Sequence, residues 1–230
     1  MTTSPDVETT SRLRPRTARR APRGWAAAGI AAGALGVVGI QASASIGVAY
    51  DPATAGHADA IARGLGGFVP NLLTMHTAVM LVTVLLVPFA AGLHRRLAAD
   101  LPPGSLHAPV AAIGLLLVSV ASMLGAGLDT EFLFASAMPD QVVAESVAFF
   151  THWIATIPWL WVGAGLSGVA VAVASLHHGA TARWIGWVSA VFGVVTLLVG
   201  ISPLQYLAGF TGPVWVLVVA IGFALEKRTA

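Results

Sequence analysis

The chain has 230 residues, 57% of them hydrophobic and only 10% charged, with a formal net charge of +2. Soluble domains average about 25% charged residues, and a mean hydropathy of +0.82 leaves too little polar side chain to cover a globule of this size. The composition excludes a cytosolic enzyme, a disordered chain and a nucleic-acid-binding domain, and it leaves an integral membrane protein; with no cysteine, disulfides and thiolate metal sites are excluded as well.

Residues 1–24 read as a basic, flexible cytoplasmic tail carrying Arg12, Arg14, Arg16, Arg19, Arg20 and Arg23. Ahead of a long apolar run, such a tail is a topology signal and not a nucleic-acid arm. Residues 25–226 hold six apolar runs: Trp25–Tyr50, Leu72–Leu93, Pro109–Leu128, Val147–Leu176, Trp184–Ile201 and Tyr206–Leu225. Each is long enough, or nearly so, for the ~20 residues that a helix needs to cross ~30 Å of hydrocarbon. The apolar residues are continuous and do not alternate, which argues against a β-barrel. Residues 227–230 form a short cytoplasmic C-terminus. The expected fold is all-α, a polytopic bundle of six spans.

The loops predict the orientation. Arg95 and Arg96 follow span 2, Arg183 follows span 4, and Lys227 and Arg228 follow span 6. With the tail they fall on one face, which should be cytoplasmic and places both termini there. The opposite face carries Asp51, Asp59, Asp129, Glu131, Asp140 and Glu145 against the single Arg63. The expected location is a bacterial inner (cell) membrane, with the lipid bilayer as the principal partner. A competing reading treats span 1 as a signal peptide cleaved after Ala44, in the small-residue stretch Ala42-Ser43-Ala44.

Packing signals are concentrated in two spans. Gly29 and Gly33 lie at the four-residue spacing that lets helices approach closely. They serve either packing within the monomer or a homo-oligomer seam. Gly163, Gly165 and Gly168 repeat the pattern in span 4. Pro158 and Pro88 each remove a backbone donor and predict kinks in spans 4 and 2. Of Trp153, Trp159 and Trp161, only the first is expected at the interface.

Ionisable residues inside a span are costly and raise the question of function. His76 and His152 both lie about five residues into their spans, roughly 7 Å below the outer boundary. Two imidazoles at equal depth are candidate ligands for a haem iron or a divalent metal, or members of a proton relay. The structural alternative is a pair of interfacial histidines bonded to nearby hydroxyls or carbonyls. His94, His177 and His178 read as cytoplasmic-interface residues, and His57 and His107 as solvated loop residues. Gln41, Asp129, Glu131, Gln205 and Tyr206 lie at similar outer depth and predict an outward-facing polar vestibule. No P-loop, dinucleotide fingerprint, HExxH or Gly-x-Ser-x-Gly motif is present.

Three stretches resemble a known group: Phe89-Ala-Ala-Gly-Leu-His-Arg-Arg96, Gly125-Ala-Gly-Leu-Asp129, and Ala182-Arg-Trp-Ile-Gly-Trp-Val188 followed by Gly193-Val-Val. With them, about two-thirds of the chain resembles six-helix integral membrane proteins of high-GC bacteria, classed as a domain of unknown function. The resemblance implies a six-span bundle and carries over no catalytic residue. The leading functional expectation is a non-enzymatic membrane component acting through a membrane protein partner or a lipid. The alternatives are a haem- or metal-dependent enzyme using His76 and His152, and a small carrier with the outer vestibule.

Overall fold

The computed structural model describes residues 23–138, 141–154 and 156–226. The tail of residues 1–22, Asp140 and residues 227–230 lie outside the described residues. The rest forms α1 (Gly24–Ala44), α2 (Ala58–Leu65), α3 (Val69–Ala98), α4 (His107–Ala137), α5 (Ala144–Ile154), α6 (Val162–Leu176), α7 (Arg183–Ile201) and α8 (Ala208–Leu225). Six segments are long and apolar enough to cross a membrane. They are α1, α2 with α3, α4, α5 with α6, α7, and α8 with the 3-10 turn before it. A single apolar environment explains why these helices show no marked polar face: lipid meets one side of each and protein the other.

The spans pack in chain order as a closed ring. Span 1 packs on span 2, span 2 on span 3, and so on to span 6, which returns to span 1. At the seam, a Cβ on Gly33 would lie 2.5 Å from the backbone N of Leu217, and one on Gly29 would lie 2.8 Å from the Ala220 Cβ. The Gly29/Gly33 face, read above as a possible homo-oligomer surface, is therefore taken up by span 6 of the same chain. No second helix can reach those glycines while span 6 is seated there. Gly163 is used against α4, and Gly165 and Gly168 against α7.

The start of span 1 and the end of span 6 meet at one end of the bundle. Arg23 donates to the Ala224 carbonyl (3.0 Å) and to the Glu226 carbonyl (3.3 Å). Arg96 donates to Glu226 Oε2 (3.0 Å from NH2) and pairs with Asp100 on the next turn. Glu226 Oε1 accepts the Ala182 N–H (3.2 Å) just before α7. This is the basic end; the other, carrying Asp51, Asp59 and Glu145, is the acidic end.

Three elements depart from the sequence expectation. Pro88 leaves α3 unbroken as an element over Val69–Ala98. Span 4, by contrast, is not kinked but broken. α5 ends at Ile154, a 3-10 turn spans Ile157–Trp159, Leu160 takes ψ 68°, and α6 starts at Val162. Both indoles at the break turn inward and are 1% exposed, whereas Trp153 is half exposed. Positions 36 and 212 abut the Trp161 ring, and 39 and 209 abut Trp159. The two indoles thus reach from span 4 to spans 1 and 6 and plug the centre of the ring. Span 3 is also longer than expected: α4 continues past Leu128, so Asp129 and Glu131 are helical and not loop residues.

Candidate functional site

At and above the tryptophan plug, toward the acidic end, five of the six spans each contribute one polar group. Gly39 abuts Trp159, and one turn further along α1 lies Ser43. Val79 of α3 lies 3.7 Å from where a Cβ on Gly39 would stand, and about one turn further toward the acidic end lies His76. Gly125 of α4 packs on Pro158, and one turn on lies Asp129. The break in span 4 supplies Trp159 itself, and the turn before α8 supplies Tyr206.

These groups sort into two sets. Ser43 Oγ accepts from Trp159 Nε1 (3.0 Å) and from the Tyr206 hydroxyl (3.3 Å). That set ties spans 1, 4 and 6 together. The second set is His76 and Asp129. Asp129 is completely buried, and its Oδ2 lies 3.7 Å from His76 Nδ1, whose side chain is 27% exposed. That distance is too long for a hydrogen bond. His76 Nδ1 and both Asp129 carboxyl oxygens are buried without a hydrogen-bond partner. Buried polar atoms are nearly always satisfied, so these three unpartnered atoms on two adjoining residues single the pair out among the described residues.

The other sequence candidates divide. Tyr206 belongs to the layer through Ser43, and Gln205 is half-buried beside it in the same turn. Gln41 is exposed on the outer surface of α1, and Glu131 is exposed on α4. Neither faces the His76–Asp129 pair as a vestibule lining would. Depth along a helix was readable from residue number; the direction around its axis was not. His152 is exposed, and its Nδ1 lies 3.3 Å from the Tyr50 hydroxyl, with the two rings edge-on at 5.2 Å. It borders an open cavity of about 250 Å³ between α2 and α5, together with Glu145, Phe149 and Ile61. Spans 2 and 4 touch through α2 and α5, whereas α3, which carries His76, and α6 are not a packed pair, because α4 stands between them. His76 and His152 thus have different partners, an acid and a phenol.

Sequence reasoning missed Ser43 as the hub of the layer, and its neighbour Trp159 as a donor. It also missed a group at the basic end. His107 lies near His178 (5.3 Å between ring centroids, tilted by 57°), which lies 4.8 Å from His177. Ser105 Oγ shares a hydrogen bond with His107 Nδ1 (2.8 Å). Among the described residues, no three His, Asp or Glu side chains are arranged to hold a metal ion.

Comparison with known proteins adds no relative: no family model, curated protein or solved structure matches the chain. The class rests on the fold itself, an all-helical, multi-pass membrane protein with six candidate spans.

Proposed function

We propose that this protein is a small carrier of the bacterial inner membrane that works through a proton-binding site formed by His76 and Asp129. The observation that carries the reading is the completely buried Asp129, with both carboxyl oxygens unpartnered and only His76 Nδ1 beside it at 3.7 Å. An ionised carboxylate without a donor is costly at this depth, and intramembrane acids in pumps and transporters characteristically move protons or ions. A static component acting through a partner has no use for such a group. The basic end, with Arg23, Arg95, Arg96 and Arg183, is assigned to the cytoplasm by the positive-inside rule. The pair then sits in the outer half, above the tryptophan plug. The interrupted span 4 supports the same reading, because transporters place their sites at discontinuous helices.

Two measurements test it. Infrared spectra of the protein in membranes should contain a protonated-carboxylic-acid carbonyl band that Asp129→Asn removes; a spectrum without that band overturns the proton site. The chain has no cysteine, so Ser43→Cys provides a unique thiol in the same layer. In a carrier it becomes reactive toward an impermeant thiol reagent from each side of the membrane in turn. A thiol unreactive from both sides overturns the carrier.

A further inference from the structure

We propose that the His76–Asp129 pair is a binding site for ammonium or a small primary ammonium ion, taken up in exchange for the proton. The inference rests on the reading above and names the occupant that competes with the proton.

Charge is the first argument. Asp129 is the one fully buried acid among the described residues, and no Lys or Arg is paired with it. Arg23 and Arg96 are engaged at the basic end, and Arg63, on α2, is exposed. With His76 neutral, a positive counter-charge has to come from outside the chain. Donor chemistry is the second argument. The three unpartnered atoms are two carboxyl oxygens and an imidazole nitrogen. With the ring proton on Nε2, Nδ1 presents a lone pair. The site is then a set of acceptors without a donor. An ammonium group carries only donors, and its charged N–H groups form strong bonds to a carboxylate. Hard metal cations call for several oxygen ligands, and imidazole is not among their preferred donors. One carboxylate and one imidazole suit N–H donors better.

The exchange balances. The protonated acid gives its proton to water, and the arriving ammonium ion takes its place against the carboxylate. One positive charge leaves as one enters, and no covalent bond other than O–H is broken. His76 Nδ1 accepts a second N–H and positions the ion.

The infrared band of the protonated acid gives the test. Methylammonium chloride or ammonium chloride, added to the full-length protein in membranes, should convert the Asp129 acid band saturably into a carboxylate band. Sodium chloride at equal ionic strength should leave it in place, and Asp129→Asn should show no conversion. His76→Ala should raise the half-saturating methylammonium concentration about tenfold or more, the loss of one hydrogen bond to a charged group. His76→Gln, whose amide oxygen restores an acceptor, should recover part of that loss. A band unmoved by either amine overturns the proposal while leaving the proton site standing. Equal conversion by sodium overturns the amine assignment, and unchanged affinity in His76→Ala overturns the role of His76. If no acid band exists at all, it is the proton reading that fails.

Discussion

Trp159 has two separable jobs. Its ring fills the centre of the bundle against positions 39 and 209, and its Nε1 donates to Ser43 at 3.0 Å. Trp159→Phe keeps most of the ring and loses the bond, so thermal unfolding in mild detergent should report a loss of about 1 kcal/mol. Trp159→Ala empties the plug and should cost about 3–5 kcal/mol. Equal losses for the two would mean that the hydrogen bond and not the filling carries the position. Gly33→Val is the complementary insult. Its Cβ would meet Leu217 at backbone distance, 2.5 Å from the amide nitrogen. Overpacking of about 1–3 kcal/mol is expected, provided the helices can shift at all. A Gly33→Val protein with an unchanged melting point would show that span 6 does not seat there. At this scale the sequence was partly legible. Residue number and rise per residue placed His76, Asp129 and Tyr206 at similar outer depth and passed over Ser43. They did not separate Asp129, which faces inward, from Gln41, which faces outward, because an apolar span carries no polar stripe to fix its rotation.

At the scale of elements, the broken span 4 is the informative case. The run from Val147 to Leu176 is continuous in hydropathy, and Pro158 announced a disturbance without its extent. What turns a kink into a break is the pair of indoles, Trp159 and Trp161, that follow the proline. Seating both in the centre requires Leu160 to leave helical geometry, and hydrogen bonds from Trp161 N–H to the Trp159 carbonyl (2.7 Å) and from Trp161 Nε1 to the Pro158 carbonyl (3.1 Å) hold the turn. Proline at 88 lacks such neighbours, and α3 runs on. The two halves of span 4 differ in support. α6 buries ten of its fifteen residues, whereas in α5 only Val147 and Thr151 are buried among the described side chains. Backbone amides of α5 should therefore exchange with deuterium well before those of α6, as expected for a segment with few buried contacts. Equal protection of both would mean that the break does not divide span 4 into separate units.

For the molecule as a whole, the acidic and basic ends are built differently. The basic end is clasped: Arg96 and Glu226 join spans 2 and 6, Arg23 adds span 1, and Ala182 adds span 5. The Arg96 and Glu226 side chains are 15% and 20% exposed. Glu226→Ala removes the ion pair and leaves the Ala182 N–H without its acceptor. A loss of about 1–3 kcal/mol is expected in thermal unfolding. A Glu226→Ala melting point within error of the parent would show the clasp to be ornamental. The predicted orientation is checked with single cysteines in the cysteine-free chain. Tyr50→Cys at the acidic end should react with an impermeant maleimide in intact cells, and Leu106→Cys at the basic end only after the membrane is opened. The reverse pattern would invert the topology. The six spans and their grouping by charge were legible from run lengths and Arg positions. The order around the ring was not, since every apolar face suits lipid and protein alike.

The sequential ring also bears on how the chain assembles. Five of its six seams join spans that follow one another in the chain, so each can zip up as the next helix leaves the insertion machinery. The sixth, where Gly29 and Gly33 receive Ala220 and Leu217, joins the first helix to the last. Until synthesis is complete, span 1 must therefore wait beside lipid with its glycine groove open. That seam is the only one with a large loop-closure cost. Because Arg23 lies against Glu226, a circular permutant that joins residue 226 to residue 23 through a short linker and opens the chain between α3 and α4, at residues 99–106, would convert that last seam into a local hairpin. The same cut makes the seam between spans 2 and 3 the one that joins the first helix to the last, so the groove that waits beside lipid moves from Gly29 and Gly33 to the α3–α4 face.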